Sequence, residues 1–405
     1  MLLEASVRRA LPTKSKVARA TLAMLTLPAG LGVAAMVAGT TSPAAAAVAG
    51  CSGGKIVIGL DKAETGSFAL NDQADTQGVK LAITLANQSG GILGCKLTVV
   101  SGDSKSDPAI GGQVAQELIK DGAQILVVPA DFDLGIAAAQ AAEKAGILGV
   151  APSASSLVFG PAVGPHFFSG AITPDVLGQA AAKFALHRGW KTAYDVTDNS
   201  FNYFTSIDQY FVSTFKAGGG TIVGSQLVKS GTQDFSATVS KIAGSKASFV
   251  FGNDYFPQVA AFIKQLRQSG VDAPVIGNSA YAFRGLPGAI GSGNTKNVFY
   301  ATQAYYEGAG VPPGVARFIA SFERAYHQFP PSINSLIGYQ VMSLVLQAVK
   351  TAGSVNAGAV SKALDAQHNV KIAGSTLVSW TNGHAVWAAT MVGLTASGGF
   401  EAVSQ

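Results

Sequence analysis

Residues 124–151 read QILVVPADFDLGIAAAQAAEKAGILGVA. The apolar run QILVVPA (124–130) is followed by an Ala-rich stretch of helical spacing over 135–145. Gly146 stands where that helix should stop, and a second apolar run, ILGVA (147–151), completes the unit. Continuous apolar strands are buried on both faces, and strands joined by amphipathic helices form a parallel sheet. Between the first strand and the helix lies Asp131-Phe132-Asp133. Two carboxylates flanking an aromatic ring have three readings: an acid/base pair, a metal site, or the mouth of a binding pocket.

The same alternation extends outward. IVIGL (56–60) and LTVV (97–100) are strands, with helices over 73–88 and 108–121. Ser106-Asp107-Pro108 offers an N-cap with proline in the first turn, and Gly122 a stop. A second series follows: strands TAYDV (192–196), TIVGSQLV (221–228), ASFVFG (247–252), PVIG (274–277) and NVFYAT (297–302), with helices near 202–217, 233–244 and 256–270. The pattern predicts two α/β lobes in tandem. A long apolar helix over 332–352 comes next. In the hairpin-like tail TLVSWTNGHAVWAATMV (376–392), Asn382-Gly383 supplies the tight turn.

The chain has 405 residues and a net charge of +5, enough length for two or three domains. Residues 1–50 carry five basic residues and one acidic residue, so the remainder is close to neutral. The basic balance therefore argues for no nucleic-acid partner, and no basic stripe with interleaved aromatics occurs. Positive charge up to Arg19, the apolar run 20–39 and the small residues of 42–50 predict an export signal and an extracytoplasmic, periplasmic or cell-envelope location. Cys51 and Cys95 are the two cysteines. Cys51 follows Val48-Ala49-Gly50 and could carry a lipid anchor. Alternatively it pairs with Cys95, since each precedes an apolar strand and parallel neighbours would put both sulfurs at one end of the sheet. The disulfide is the expectation.

Ligands of open parallel sheets bind beyond the carboxyl ends of the strands. That rule selects residues 61–72, 131–135 and 152–159 in the first lobe, and 197–204, 253–257 and 278–285 in the second. These rims are rich in Phe, Tyr, Ser and Asn, as suits a cleft closing on a small molecule. Phe68, Phe132, Phe159, Phe201, Tyr255, Phe256, Tyr281 and Phe283 are the rim aromatics, and they favour an apolar or aromatic ligand. Neither a GxSxG elbow nor paired histidines occur, which speaks against a His-based triad or zinc. No catalytic, metal or cofactor residues are expected. A hydrolytic enzyme using Asp131 with Asp133, or Asp61, is the weaker alternative.

Several motifs in order resemble one family. IVIGL…TGSFALND…GVKLAITLANQSGGILGCKL, EKAGILGVAPSAS (143–155), DNSFN (198–202) and FGNDYFPQVAAFIKQLRQSG (251–270) are similar to stretches of the periplasmic Leu/Ile/Val-binding proteins, the type I solute-binding components of ABC transporters. The resemblance implies the type I periplasmic-binding-protein fold: α/β, two doubly wound parallel-sheet lobes joined by three crossovers, near 170–173, 302–305 and 375–385. Lobe one is then 54–171 with 303–378, and lobe two 172–302 with 379–405. It implies a monomer that captures a solute and passes it to a membrane permease; a ligand sensor on the same fold is the alternative. The contact positions it implies are Phe68, Asn71, Phe132, Asp133, Ser153, Ser155, Phe201, Tyr255, Ser279 and Tyr281. Asn71 replaces an aromatic and Asp-Phe-Asp a Ser-rich segment. Ser279 replaces the acidic residue that grips an amino group, so a ligand carboxylate at Ser153 and Ser155 is retained while the ammonium loses its partner unless Asp133 or Asp254 substitutes.

Overall fold

The computed structural model describes residues 54–291, 293–308 and 310–404. The predicted export signal and Cys51 lie outside them.

The chain builds two sheets in turn. β1 (Lys55–Lys62), β2 (Lys96–Asp103), β3 (Ile125–Val127), β4 (Leu148–Ala151) and β5 (Phe167–Ser169) form the first. β6 (Thr192–Asp198), β7 (Thr221–Val228), β8 (Phe249–Asn253), β9 (Val275–Gly277) and β10 (Val298–Thr302) form the second. Late in the chain, β11 (Val370–Ile372), β12 (Ser375–Thr381) and β13 (His384–Trp387) return to the first sheet, while β14 (Thr390–Leu394) and β15 (Phe400–Val403) complete the second. The orders are β11-β12-β13-β5-β4-β3-β1-β2 and β15-β14-β10-β9-β8-β6-β7. β3 and β4 are buried at every position, as unbroken apolar runs require. Edge strand β7 instead alternates between exposed and half-buried residues over most of its length.

Both sheets are parallel through their middles and antiparallel at one edge, so the lobes are mixed sheets. The edges follow from the tail. Asn382 and Gly383 both take positive φ, 49° and 74°, and fold β13 back onto β12. β13 then pairs parallel with β5 through His384 and Ser169. The third crossover therefore lies at 388–389 and not within 375–385, and residues 379–387 belong to the first sheet: the turn reverses the chain inside one lobe before it leaves. Two helices that the sequence pattern had not singled out, Pro174–His187 and Pro313–Tyr326, each start on a proline, where the missing N–H costs nothing.

A chain of side-chain amides ties the first two crossovers to each other and to the start of β12. Gln303 Oε1 accepts from the Ile172 N–H at 2.9 Å, and Gln303 Nε2 donates to Gln340 Oε1 at 2.9 Å. Gln340 Nε2 in turn donates to the Ser375 hydroxyl at 3.0 Å. The strand connections are thus pinned at the hinge, while the carboxyl ends of β1, β3 and β4 face those of β6, β8 and β9.

Candidate ligand-binding site

Strand order reverses direction between β1 and β3 in one sheet and between β6 and β8 in the other, and the cleft opens at both points. A small cavity lies there, about 30 Å³, space for about two water molecules. A ligand of amino-acid size enters it only if the lobes part or side chains rotate. The first lobe contributes Phe68, Asn71, Ala130, Asp131, Ser153 and Ser155; the second contributes Tyr203, Tyr255, Ser279, Ala280 and Phe283. Asn334 and Ile337, near the start of the helix Ile333–Ala352, complete the wall.

Six of the ten expected contact residues meet here: Phe68, Asn71, Ser153, Ser155, Tyr255 and Ser279. The other four do not line the cavity, each for a local reason. Asp131 is the N-cap of the helix Phe132–Lys144, accepting from the Asp133 N–H at 2.9 Å and from that of Leu134 at 3.4 Å. A cap residue faces the mouth of its helix, and the next residue turns away. Phe132 accordingly packs edge-on against Phe159, with ring centroids 5.3 Å apart, in the core behind the first sheet. Asp133 reaches across to the second lobe, where its Oδ2 accepts from the Asn202 N–H at 2.7 Å. Phe201 joins Phe68 and Tyr255 in an aromatic contact between the lobes, with centroids 5.5–6.3 Å apart. Tyr281 is carried back into the second lobe by the turn Ser279–Tyr281 and donates to the Gly252 carbonyl at 2.7 Å. A side chain on Gly277 would put its Cβ 2.3 Å from that ring.

The floor of the first lobe is ionic. Lys62 is fully buried, with Nζ 2.9 Å from Asp72 and 2.7 Å from Asp75, and it donates to the Val128 carbonyl at 2.9 Å. Burial opposes its charge, but the two carboxylates outweigh that and hold its pKa above the ordinary value. Asp72 also accepts from the N–H groups of Ala63 and Ala130, fixing the ends of β1 and β3. Asp75 accepts from Ser153 Oγ at 2.5 Å.

The second lobe's wall is a neutral network. Asn278 donates to Asn253 Oδ1 at 2.8 Å, and its own Oδ1 accepts from Tyr203 at 3.2 Å. The Tyr203 and Ser279 hydroxyls are 2.8 Å apart. Tyr255 spans the cleft and donates to Asp131 Oδ2 at 3.3 Å.

Burial first, and then the charge of Asp133, push Asp131 up to about 7. Asp61 is buried away from the cavity and is pushed up to about 8, by burial and then by Asp72. Asp131 and Asp133 share one helix turn but face different partners, so they form no acid/base pair around a common point. Among the described residues, no group of three or more His, Cys, Asp or Glu is placed to hold a metal ion, and no helix is long and apolar enough to cross a membrane.

Sequence reasoning missed Tyr203, Asn334 and Ile337 as cavity residues, and it named Phe132 and Asp133 where Asp131 lines the cavity. Tyr203 was within reach, since it follows β6 inside the selected rim. Asn334 was not: it arrives from a helix far along the chain, packed across the helix Ala69–Gln88.

The family model described as "Periplasmic binding protein" matches residues 55–399. A Leu/Ile/Val-binding protein from Rhizobium johnstonii is 26% identical over 230 residues, 55% of this chain but only 60% of that protein, less than two thirds of its length. Among solved structures, the branched-chain amino acid transporter substrate-binding protein from Streptococcus pneumoniae, in complex with isoleucine, has a TM-score of 0.79 at 23% identity, covering 87% of this chain and 100% of that one. A solute-binding protein of an ABC transporter from R. palustris, in complex with benzoate, has a TM-score of 0.76 at 21% identity, covering 87% and 98%. At these identities the two structures speak for the fold. Matched over almost its whole described length, the chain belongs to the periplasmic binding protein family.

Proposed function

We propose that this protein is the exported solute-binding component of an ABC importer, that it holds a small organic molecule between its lobes without turning it over, and that it hands that molecule to a membrane permease. The observation that carries this reading is the cavity itself. It lies at the switch points of both sheets and takes side chains from both lobes, and its mouth is closed by contacts between lobes: Phe68 on Tyr255, Asp133 on Asn202, Tyr255 on Asp131. A ligand touching both walls favours the closed form by its differential affinity for it. Two structural neighbours hold small molecules, isoleucine in one and benzoate in the other.

The test uses the purified mature protein with leucine, isoleucine, benzoate and 4-hydroxybenzoate. One of these, or a close analogue, should raise the melting temperature, shrink the radius of gyration in X-ray scattering, and be recovered unchanged after long incubation. Conversion of the bound compound would remove the binding-protein reading in favour of an enzyme.

The same proposal places the mature N-terminus before Cys51 and bridges Cys51 to Cys95. β1 and β2 pair in parallel with Lys55 opposite Lys96, which brings the segments preceding both strands to one end of the sheet. Mass spectrometry of the mature protein should show two fewer hydrogens than the dithiol and no lipid; a diacylglyceryl mass on Cys51 would reverse this.

A further inference from the structure

The hydrogen-bonding sense of the cavity specifies the ligand's polar group, given that the solute-binding reading holds. Three of its hydroxyl protons are committed. Ser153 gives its hydrogen to Asp75 at 2.5 Å, Ser155 gives its own to the Ile172 carbonyl at 2.5 Å, and Tyr255 donates to Asp131 at 3.3 Å. A hydroxyl whose proton is spent offers a guest only lone pairs. Asp131 is 2% exposed, and among the described residues its carboxylate is the one formally charged group lining the cavity. The cation below it, Lys62, is saturated by two carboxylates and a carbonyl. At the Asp131–Tyr255 end a guest carboxylate would meet acceptor lone pairs and a buried like charge with no cation to offset its desolvation. A guest N–H group meets the complement it needs.

We propose that the end of the cavity formed by Asp131 and Tyr255 receives a hydrogen-bond-donating nitrogen, so that the protein selects amine-bearing solutes over monocarboxylic acids of the same shape. Asn71 and Asn334, whose amides lie 3.5 Å apart across the other end, supply donors for any acceptor the ligand also carries.

The titratable groups facing Asp131 are Asp133 on its own helix, Tyr203 from the helix Asn202–Ala217, and Tyr255 after β8. Burial pushes both phenols upward, so they stay neutral. Asp131 itself ionises at about 7. An ammonium favours the ionised carboxylate, so its affinity rises as pH climbs through that value. A carboxylate ligand favours the protonated form, and its affinity falls.

The experiment is isothermal calorimetry on the full mature protein with two matched sets: leucine, 3-methylbutylamine and 4-methylpentanoate; and phenylalanine, 2-phenylethylamine and 3-phenylpropionate. We expect amine-bearing members of at least one set to bind and the matching acid not to. Affinity for the amine should rise roughly tenfold between about pH 6 and about pH 8. Asp131→Asn should remove both the amine preference and the pH slope while melting cooperatively. Should that variant fail to fold, the wild-type slope decides alone. Binding of the acids alone, or an affinity that falls with pH, overturns the proposal and leaves the solute-binding reading standing. Binding of neither class removes both.

Discussion

The two walls of the cleft solve the burial of carboxylates in different ways. In the first lobe, Asp72 and Asp75 share a buried cation, Lys62, and the cluster is stitched to the ends of β1, β3 and β4. In the second, Asp254 is 4% exposed and has Asp198 beside it and only the Gln258 amide and the Tyr255 N–H as partners, so burial and then Asp198 push it up to about 8. The Lys62 cluster balances its charge with a lysine; Asp254, like Asp131 at the cavity, balances its charge with a proton and so feels the pH of the compartment.

Removing the cation breaks this contrast most severely. Lys62→Met should cost about 3–5 kcal/mol, because two buried carboxylates are left uncompensated, and urea unfolding measures it. A loss below 1 kcal/mol would mean that the cluster is neutralised by protons too. The second lobe gives the opposite sign. Asp254 has a folded-state pKa raised above its unfolded value, so its contribution is fully present below about pH 4 and is lost as pH rises through about 8. Asp254→Asn should therefore stabilise the protein on the order of 2 kcal/mol near pH 8 and change little near pH 4; a uniform effect across that range would contradict the assignment. Tyr281→Phe deletes one neutral buried bond, to the Gly252 carbonyl, and should cost about 1 kcal/mol with ligand affinity unaffected. A large affinity loss would put Tyr281 back in the cleft. The smallest effect is expected at the clasp between the walls. Asp133→Ala removes the acceptor for the Asn202 N–H and should weaken ligand binding roughly threefold without moving the midpoint of unfolding.

The parallel sheets and their rims were legible in the sequence because they are local signals: apolar runs, glycine stops, and a proline after an N-cap. The cavity was legible by address but not by direction. Its segments follow from where strands end, whereas the facing of each side chain depends on the first turn after the strand. Asp131 shows the difference: it is the N-cap of its helix, and the cap geometry decides that it, and not Phe132, lines the cavity. Tyr281 fails for the same reason, as a three-residue turn reverses it. Asn334 and the late crossover at 388–389 fail for another: both depend on pairings between segments far apart in the chain, which no local pattern encodes.

The return of β13 to the first sheet, followed at once by β14 in the second, has a consequence for synthesis. A nascent chain emerging as far as residue 380 lacks strands from both sheets: β13, which pairs with β5, and β14, which pairs with β10. The first sheet is complete only at Trp387 and the second only at Val403, so both lobes wait for strands from this one tail. Loss of the tail from His384 onward would therefore strip β13 from the first sheet and β14 and β15 from the second, damaging both lobes rather than trimming one.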